Sequence, residues 1–273
     1  MGRGALSAPW ASFDDVTSLH PAAAGLDYFA EIAMHSAGLA EAAEANLDAP
    51  VEHCPGWTVA DLVSHVWQVH WFWGLMAEQR LAGPPEDEEP PEAPARAELL
   101  AQFRAGALRL VEILRAADQQ APVWTWAPSQ QNIGFISRHQ VQEAAVHRWD
   151  AEHAAGRRYV FAVPVSVDSI EEFLTFSVAS VADPPDQPKP NLGGRLVLLA
   201  TDADAAWTIT DDERPGTVRF SRGAEPDAPS VTGTASDLLL WLYRRVELPV
   251  RPGADGAPAD ELVQRFQALT FTD

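Results

Sequence analysis

The sequence predicts an α+β protein, with an N-terminal antiparallel four-helix bundle followed by a small α+β domain built on a short-stranded sheet. Up to about residue 160, apolar residues recur at helical period in four long segments. Beyond it, short β-type runs alternate with Asp, Pro and Gly turns. The length, 273 residues, is comfortable for two domains at about 100–200 residues each. The expected divisions are a flexible lead-in over 1–24, the bundle over 25–158 and the C-terminal domain over 159–273.

The first helix is expected from about Asp27 to Leu47, through Phe29, Ile32, Ala33, Leu39 and Ala43. The second starts at Thr58 and ends near Leu81. Pro55-Gly56 turns the chain, and Thr58 caps the N–H of Asp61. Asp61 returns the bond as a short capping-box acid, and Trp57 packs on Leu62 as a hydrophobic staple. Residues 83–94, GPPEDEEPPEAP, hold too much proline for a helix and read as a solvated acidic connection. The third helix covers about Ala95 to Ala117, with Leu99, Phe103, Leu110 and Leu114 on one stripe, and the fourth about Asn132 to Ala155. Four such helices with modest connections form a bundle.

In the second half, Ser166 to Val178 reads as an amphipathic helix. Residues 193–200, 206–210, 217–220 and 229–233 read as strands. A helix follows from Asp237 to Arg245, capped by Thr234 or Ser236, and a last one from Ala259 to Leu269.

Composition narrows the function. Asp and Glu number 39 against 19 Lys and Arg, a formal charge of −20. Such a field repels phosphate backbones and anionic lipid, so neither nucleic acid nor membrane is an expected partner. The single cysteine, Cys54, excludes an internal disulfide and cysteine-rich metal or redox motifs. Met1 to Pro21 contains no apolar run of signal type, and no membrane-spanning stretch follows, so a cytoplasmic protein is expected, as a monomer or small homo-oligomer.

The helix faces carry the chemistry. Leu62, Val66, Val69, Trp73 and Met76 form the inward stripe of the second helix. His65 lies on that stripe, whereas His70 lies away from its centre. The fourth helix has two polar stripes on opposite sides. One carries Arg138, Arg148 and Glu152 with Gln142; the other carries His139, Gln140, Glu143, His147 and Asp150. Arginine keeps its proton and is costly to bury unpaired, so the arginine stripe is expected to face water and the other to face inward. A buried carboxylate also costs several kcal/mol, and a divalent cation removes that cost. Glu143 and His147, at i and i+4, offer two ligands one turn apart. With His65 they make a two-histidine, one-carboxylate set that leaves a position open. That is a catalytic zinc's ligand set, although other divalent metals also fit. His139 is the alternative third or fourth ligand, and Asp150 a partner that orients a ring nitrogen. The competing reading of the same stripe is a wet helix face.

Four motifs, in order, resemble one family. CPGWTVADLVSH (54–65), VWTWAP (123–128), EAAVHRWDAE (143–152) and VTGTASDLLLWLYRR (231–245) are similar to the mycothiol-dependent maleylpyruvate isomerase family, within the DinB-like helical-bundle superfamily. The resemblance implies a divalent metal, usually zinc, held by a histidine of the first motif and the Glu and His of the third, here His65, Glu143 and His147. It also implies mycothiol as cosubstrate. Its metal-held thiolate would add to a conjugated cis double bond of an unsaturated acid and, after rotation about the resulting single bond, leave again to give the trans isomer, or attack an electrophilic small molecule and stay attached. Arg244, Arg245 and Trp126 are the candidate cosubstrate contacts, the arginines by pairing with a carboxylate. Against this stand helix-end pairing for the arginines and plain core for the tryptophan. Cys54 reads as a small turn residue more readily than as a nucleophile. Many relatives have a histidine where this chain has Gln142. The alternative to an enzyme is a non-catalytic metal-binding or small-molecule-sensing protein on the same bundle.

Overall fold

The computed structural model describes residues 25–85, 91–181, 187–254 and 259–272. The expected lead-in, 1–24, and residues 86–90 of the acidic connection lie outside these residues.

Helix α1, Tyr28–Ala43, starts where the Asp27 carboxylate accepts the N–H groups of Phe29 and Ala30 at 3.1 Å each. It stops short of the expected Leu47 because the chain tightens into successive three-residue turns, with the Asn46 N–H on Ala43 O at 3.0 Å and the Ala49 N–H on Asn46 O at 2.9 Å. Helix α2, Val59–Gln79, has the full capping box. The Asp61 N–H donates to Thr58 Oγ1 at 3.3 Å, and the Thr58 N–H donates to Asp61 Oδ2 at 2.8 Å. It ends at Arg80 in a left-handed conformation, φ 52°. Helix α3 spans Leu99–Ala116. Helix α4 spans Ile133–Ala154, N-capped by Asn132. Packing runs in a ring, α1 on α4, α4 on α2, α2 on α3 and α3 on α1, which closes the bundle.

The bundle interior is not apolar throughout. One apolar cluster gathers Ile32, Trp73, Met76, Leu114 and Ile136; another gathers Leu39, Leu62, Val66, Phe103 and Ala151. Along each of three helices, buried polar residues fall between members of the two clusters: His35 and Ser36 on α1, His70 on α2, His147 on α4. The apolar core of the bundle is interrupted at that level.

Beyond the bundle come α5, Val163–Phe176, and a five-stranded sheet of order β3-β2-β1-β4-β5. Its strands are β1 (Arg195–Ala200), β2 (Ala206–Asp211), β3 (Val218–Arg222), β4 (Ser230–Gly233) and β5 (Val250–Arg251). β4 runs parallel to β1, with Leu198 opposite Val231, and the other pairs are antiparallel. Helix α6, Ala235–Leu242, is capped by Thr234, one of the two expected caps, and α7 is Ala259–Ala268. The core here joins Ile170 and Phe173 of α5 to Leu198, Trp207, Leu238 and Trp241, with Ala145 and Trp149 contributed by α4. The two-residue β5 has no periodicity to announce it in the sequence. Among the described residues, no helix is long and apolar enough to cross a membrane.

One expectation about α4 fails. The arginine stripe does not face water: α5 covers Arg138, and Arg148 lies between Gly38 of α1 and Tyr159. Arg138 Nε lies 3.1 Å from both carboxylate oxygens of Asp168, which is buried on α5. Arg148 lies over the Tyr159 ring at 4.0 Å. It occupies the space left by Gly38, where any side chain would overlap the guanidinium. Gln142 and Glu152 are buried as well. A charge-paired seat on α5 replaces hydration for Arg138, and a tyrosine face does so in part for Arg148.

Candidate metal centre

The caps set the phase of the two helices that build the site. With α2 started at Thr58, His65 points from the face of Leu62 toward α4. With α4 started at Asn132, Glu143 and His147 stand one turn apart, facing α2. His65 Nε2 lies 3.2 Å from Glu143 Oε1, and His147 Nε2 lies 3.5 Å from the same oxygen. The two imidazoles meet edge to face, with centroids 5.2 Å apart, and Trp57 stands against His65 at 5.0 Å. The three potential ligand atoms all lie within 4.8 Å of one another. His147 is buried while His65 and Glu143 are part-exposed, so the cluster opens on one side.

Electrostatics favour an anionic Glu143. Burial raises its carboxyl pKa, but the His147 charge and the hydrogen bond and charge of His65 outweigh burial and hold it at about 2. For His147, burial works against the proton, while the Glu143 charge and the Asp150 bond raise the pKa above its usual value. Asp150 is the residue behind the ring. Its Oδ2 lies 3.1 Å from His147 Nδ1. A carboxylate only accepts, so Nδ1 carries a proton, and the neutral ring, the form that a cation would bind, turns the Nε2 lone pair to the cluster side. Two ring nitrogens and a carboxylate oxygen, with a carboxylate behind one ring, are donors that suit a borderline divalent cation.

Behind Asp150 stands Arg245, just past α6. Its Nε and Nη2 reach the Asp150 carboxylate at 3.2 and 2.9 Å, so the C-terminal domain grips the back of the site. Burial pushes the Asp150 carboxyl up, and the hydrogen bonds from His147 and Arg245 bring it below its usual value.

The family models decide the relationship. The model for the mycothiol maleylpyruvate isomerase N-terminal domain matches residues 28–152, and the model for that family's C-terminal domain matches residues 164–261. The chain belongs to the mycothiol maleylpyruvate isomerase family. Among solved structures it is similar to a crystal structure of a histidine-to-alanine mutant of the mycothiol-dependent maleylpyruvate isomerase, at 13% identity and a TM-score of 0.49, covering 85% of this chain and 93% of that one. No curated protein matches this chain.

Other residues of this isomerase-family chain singled out from the sequence are placed as follows. His139 stacks on Phe135 at 5.3 Å and turns Nδ1 to Glu172 of α5 at 3.0 Å, one turn away from the three-residue cluster. Gln142 hydrogen-bonds Glu172 and accepts the Tyr243 hydroxyl at 2.7 Å. Trp126 packs edge-on against His139 and Phe135 at 5.2 Å. Arg244 takes a left-handed turn, φ 61°, and donates to Gln267 O at 2.7 Å and Thr270 Oγ1 at 3.3 Å. Cys54 lies with His147 and Asp150 in a second group of potential ligand atoms within 4.8 Å, and burial pushes its thiol pKa up. His70 is buried against Phe103 between α2 and α3. Sequence reasoning missed a third group, Glu52, His53 and His153. His153 lies about 100 residues from the adjacent Glu52 and His53, so no local spacing announces it.

Proposed function

We propose that this protein is a mycothiol-dependent enzyme of the isomerase type, acting on a small unsaturated acid or, as an S-transferase, on a small electrophile. His65, Glu143 and His147 would hold a divalent cation, zinc first among the candidates. What supports the reading is the meeting of residues from two helices, 78 positions apart, in one open three-donor cluster inside a chain of this family.

A cation bound there supplies a Lewis-acidic position at which a thiol gives up its proton near neutral pH. The chain's own residues do the rest. Glu143 contributes the negative charge that balances the cation. Asp150 accepts a hydrogen bond from His147 Nδ1–H and so fixes which nitrogen faces the cluster. Arg245 fixes Asp150 and acts as a positioning residue. Trp57 walls His65 on one side.

The test is turnover. Metal-replete protein is incubated with mycothiol and a panel of unsaturated diacids and electrophiles, and products are read by mass spectrometry. Trans isomers or mycothiol adducts that require the protein support the reading. No reaction with any panel member at full metal occupancy contradicts it and favours the binding or sensing alternative.

A further inference from the structure

We propose that Glu52, His53 and His153 form a second divalent-cation site, separate from the candidate centre and nearer to solvent. Their potential ligand atoms, one carboxylate oxygen and two imidazole nitrogens, all lie within 4.8 Å of one another. His153 Nε2 is 2.8 Å from Glu52 Oε2, and the two imidazole centroids are 5.8 Å apart. None of the three belongs to the His65, Glu143 and His147 cluster.

The scaffold under these residues is fixed on both sides. His153 lies in the last turn of α4 and stacks flat on Trp149, centroids 4.7 Å apart and planes 8° apart. His53 packs against the same indole at 5.7 Å. Glu52 and His53 sit in the loop before α2. That loop is tied by the Val51 N–H on Trp57 O at 2.9 Å, the Val59 N–H on Ala49 O at 2.9 Å and the Cys54 N–H on Val51 O at 3.2 Å. The aromatic ring thus holds two imidazoles whose spacing is already that of ligands, and little ordering remains to be done on binding.

The donor chemistry names the ligand class. Two imidazoles and one carboxylate suit a borderline first-row divalent cation such as Zn²⁺, and solvent on the open side completes the coordination. Exposure makes this the weaker of the two sites. Glu52 is 68% exposed and His153 43%, so water competes for each donor. The competing account is a surface His–Glu pair that ties the loop to the end of α4 and binds nothing.

The test uses tag-free protein stripped with a chelator and titrated with Zn²⁺ against a chromogenic competitor. His53→Phe and His153→Phe each keep a ring against Trp149 while removing the ligand nitrogen. The expected result is that each variant loses one Zn²⁺ per chain, or weakens one binding class at least tenfold, with an unchanged circular dichroism spectrum. A Zn²⁺ isotherm identical to wild type in either variant overturns the proposal. The outcome is independent of the candidate centre, whose own failure appears as an isotherm that His147→Ala leaves unchanged.

Discussion

Arg245 holds the carboxylate of Asp150 through two hydrogen bonds, at 3.2 and 2.9 Å, and that carboxylate faces His147 Nδ1 at 3.1 Å. A chain of three residues therefore runs from the C-terminal domain to the candidate metal ligand. Asp150→Asn keeps the shape but removes the charge that orients the ring. Partners of this kind are worth about 10–100-fold in metal affinity. Competition with a chelator is expected to show a loss of that size in Asp150→Asn. Arg245→Lys, which keeps the charge and loses the fork, is expected to show a smaller one.

His70 is a pH-dependent liability. Neither of its ring nitrogens has a hydrogen-bond partner among the described residues, and burial lowers its pKa from 6.5 to about 4. The unfolded chain therefore binds more protons than the folded one between those two values. Stability is fully present above 6.5 and falls as pH drops toward 4. At about 1.4 kcal/mol per pH unit, the loss from this residue between pH 7 and pH 4 is about 3 kcal/mol. Urea denaturation at the two pH values is expected to show that much less acid sensitivity in His70→Leu than in wild type.

The seam between α4 and α5 rests on a buried ion pair. Arg138 is joined to Asp168, whose side chain is 3% exposed and also receives the Tyr28 hydroxyl at 3.4 Å. Removing one member strands the other, which costs about 3–5 kcal/mol, whereas replacing both by apolar groups costs far less. Arg138→Met is expected to lose stability on that scale in chemical denaturation. The double variant Arg138→Met, Asp168→Leu is expected to recover most of it.

Local rules were enough for much of this. Thr58 and Asp61 announce the start of α2, and that start places His65. The i, i+4 pair Glu143 and His147 needs only the helical period. What failed was tertiary. The solvent rule for arginine gave the wrong surroundings for Arg138 because its partner, Asp168, lies 30 residues away on a helix whose approach no periodicity encodes. Arg245 on Asp150, 95 residues apart, and the Glu52, His53 and His153 group were hidden for the same reason. The early end of α1 came from turn bonds at Asn46 and Ala49, which hydrophobic spacing does not reveal.

The claim that organises the rest is that His65, Glu143 and His147 share one divalent cation. The most direct measurement is tightly held metal per chain, by elemental analysis after dialysis against a weak chelator that strips surface ions. One ion per chain is expected in the wild type, with near-complete loss in His65→Ala and in His147→Ala. Equal metal content in all three proteins would contradict the account.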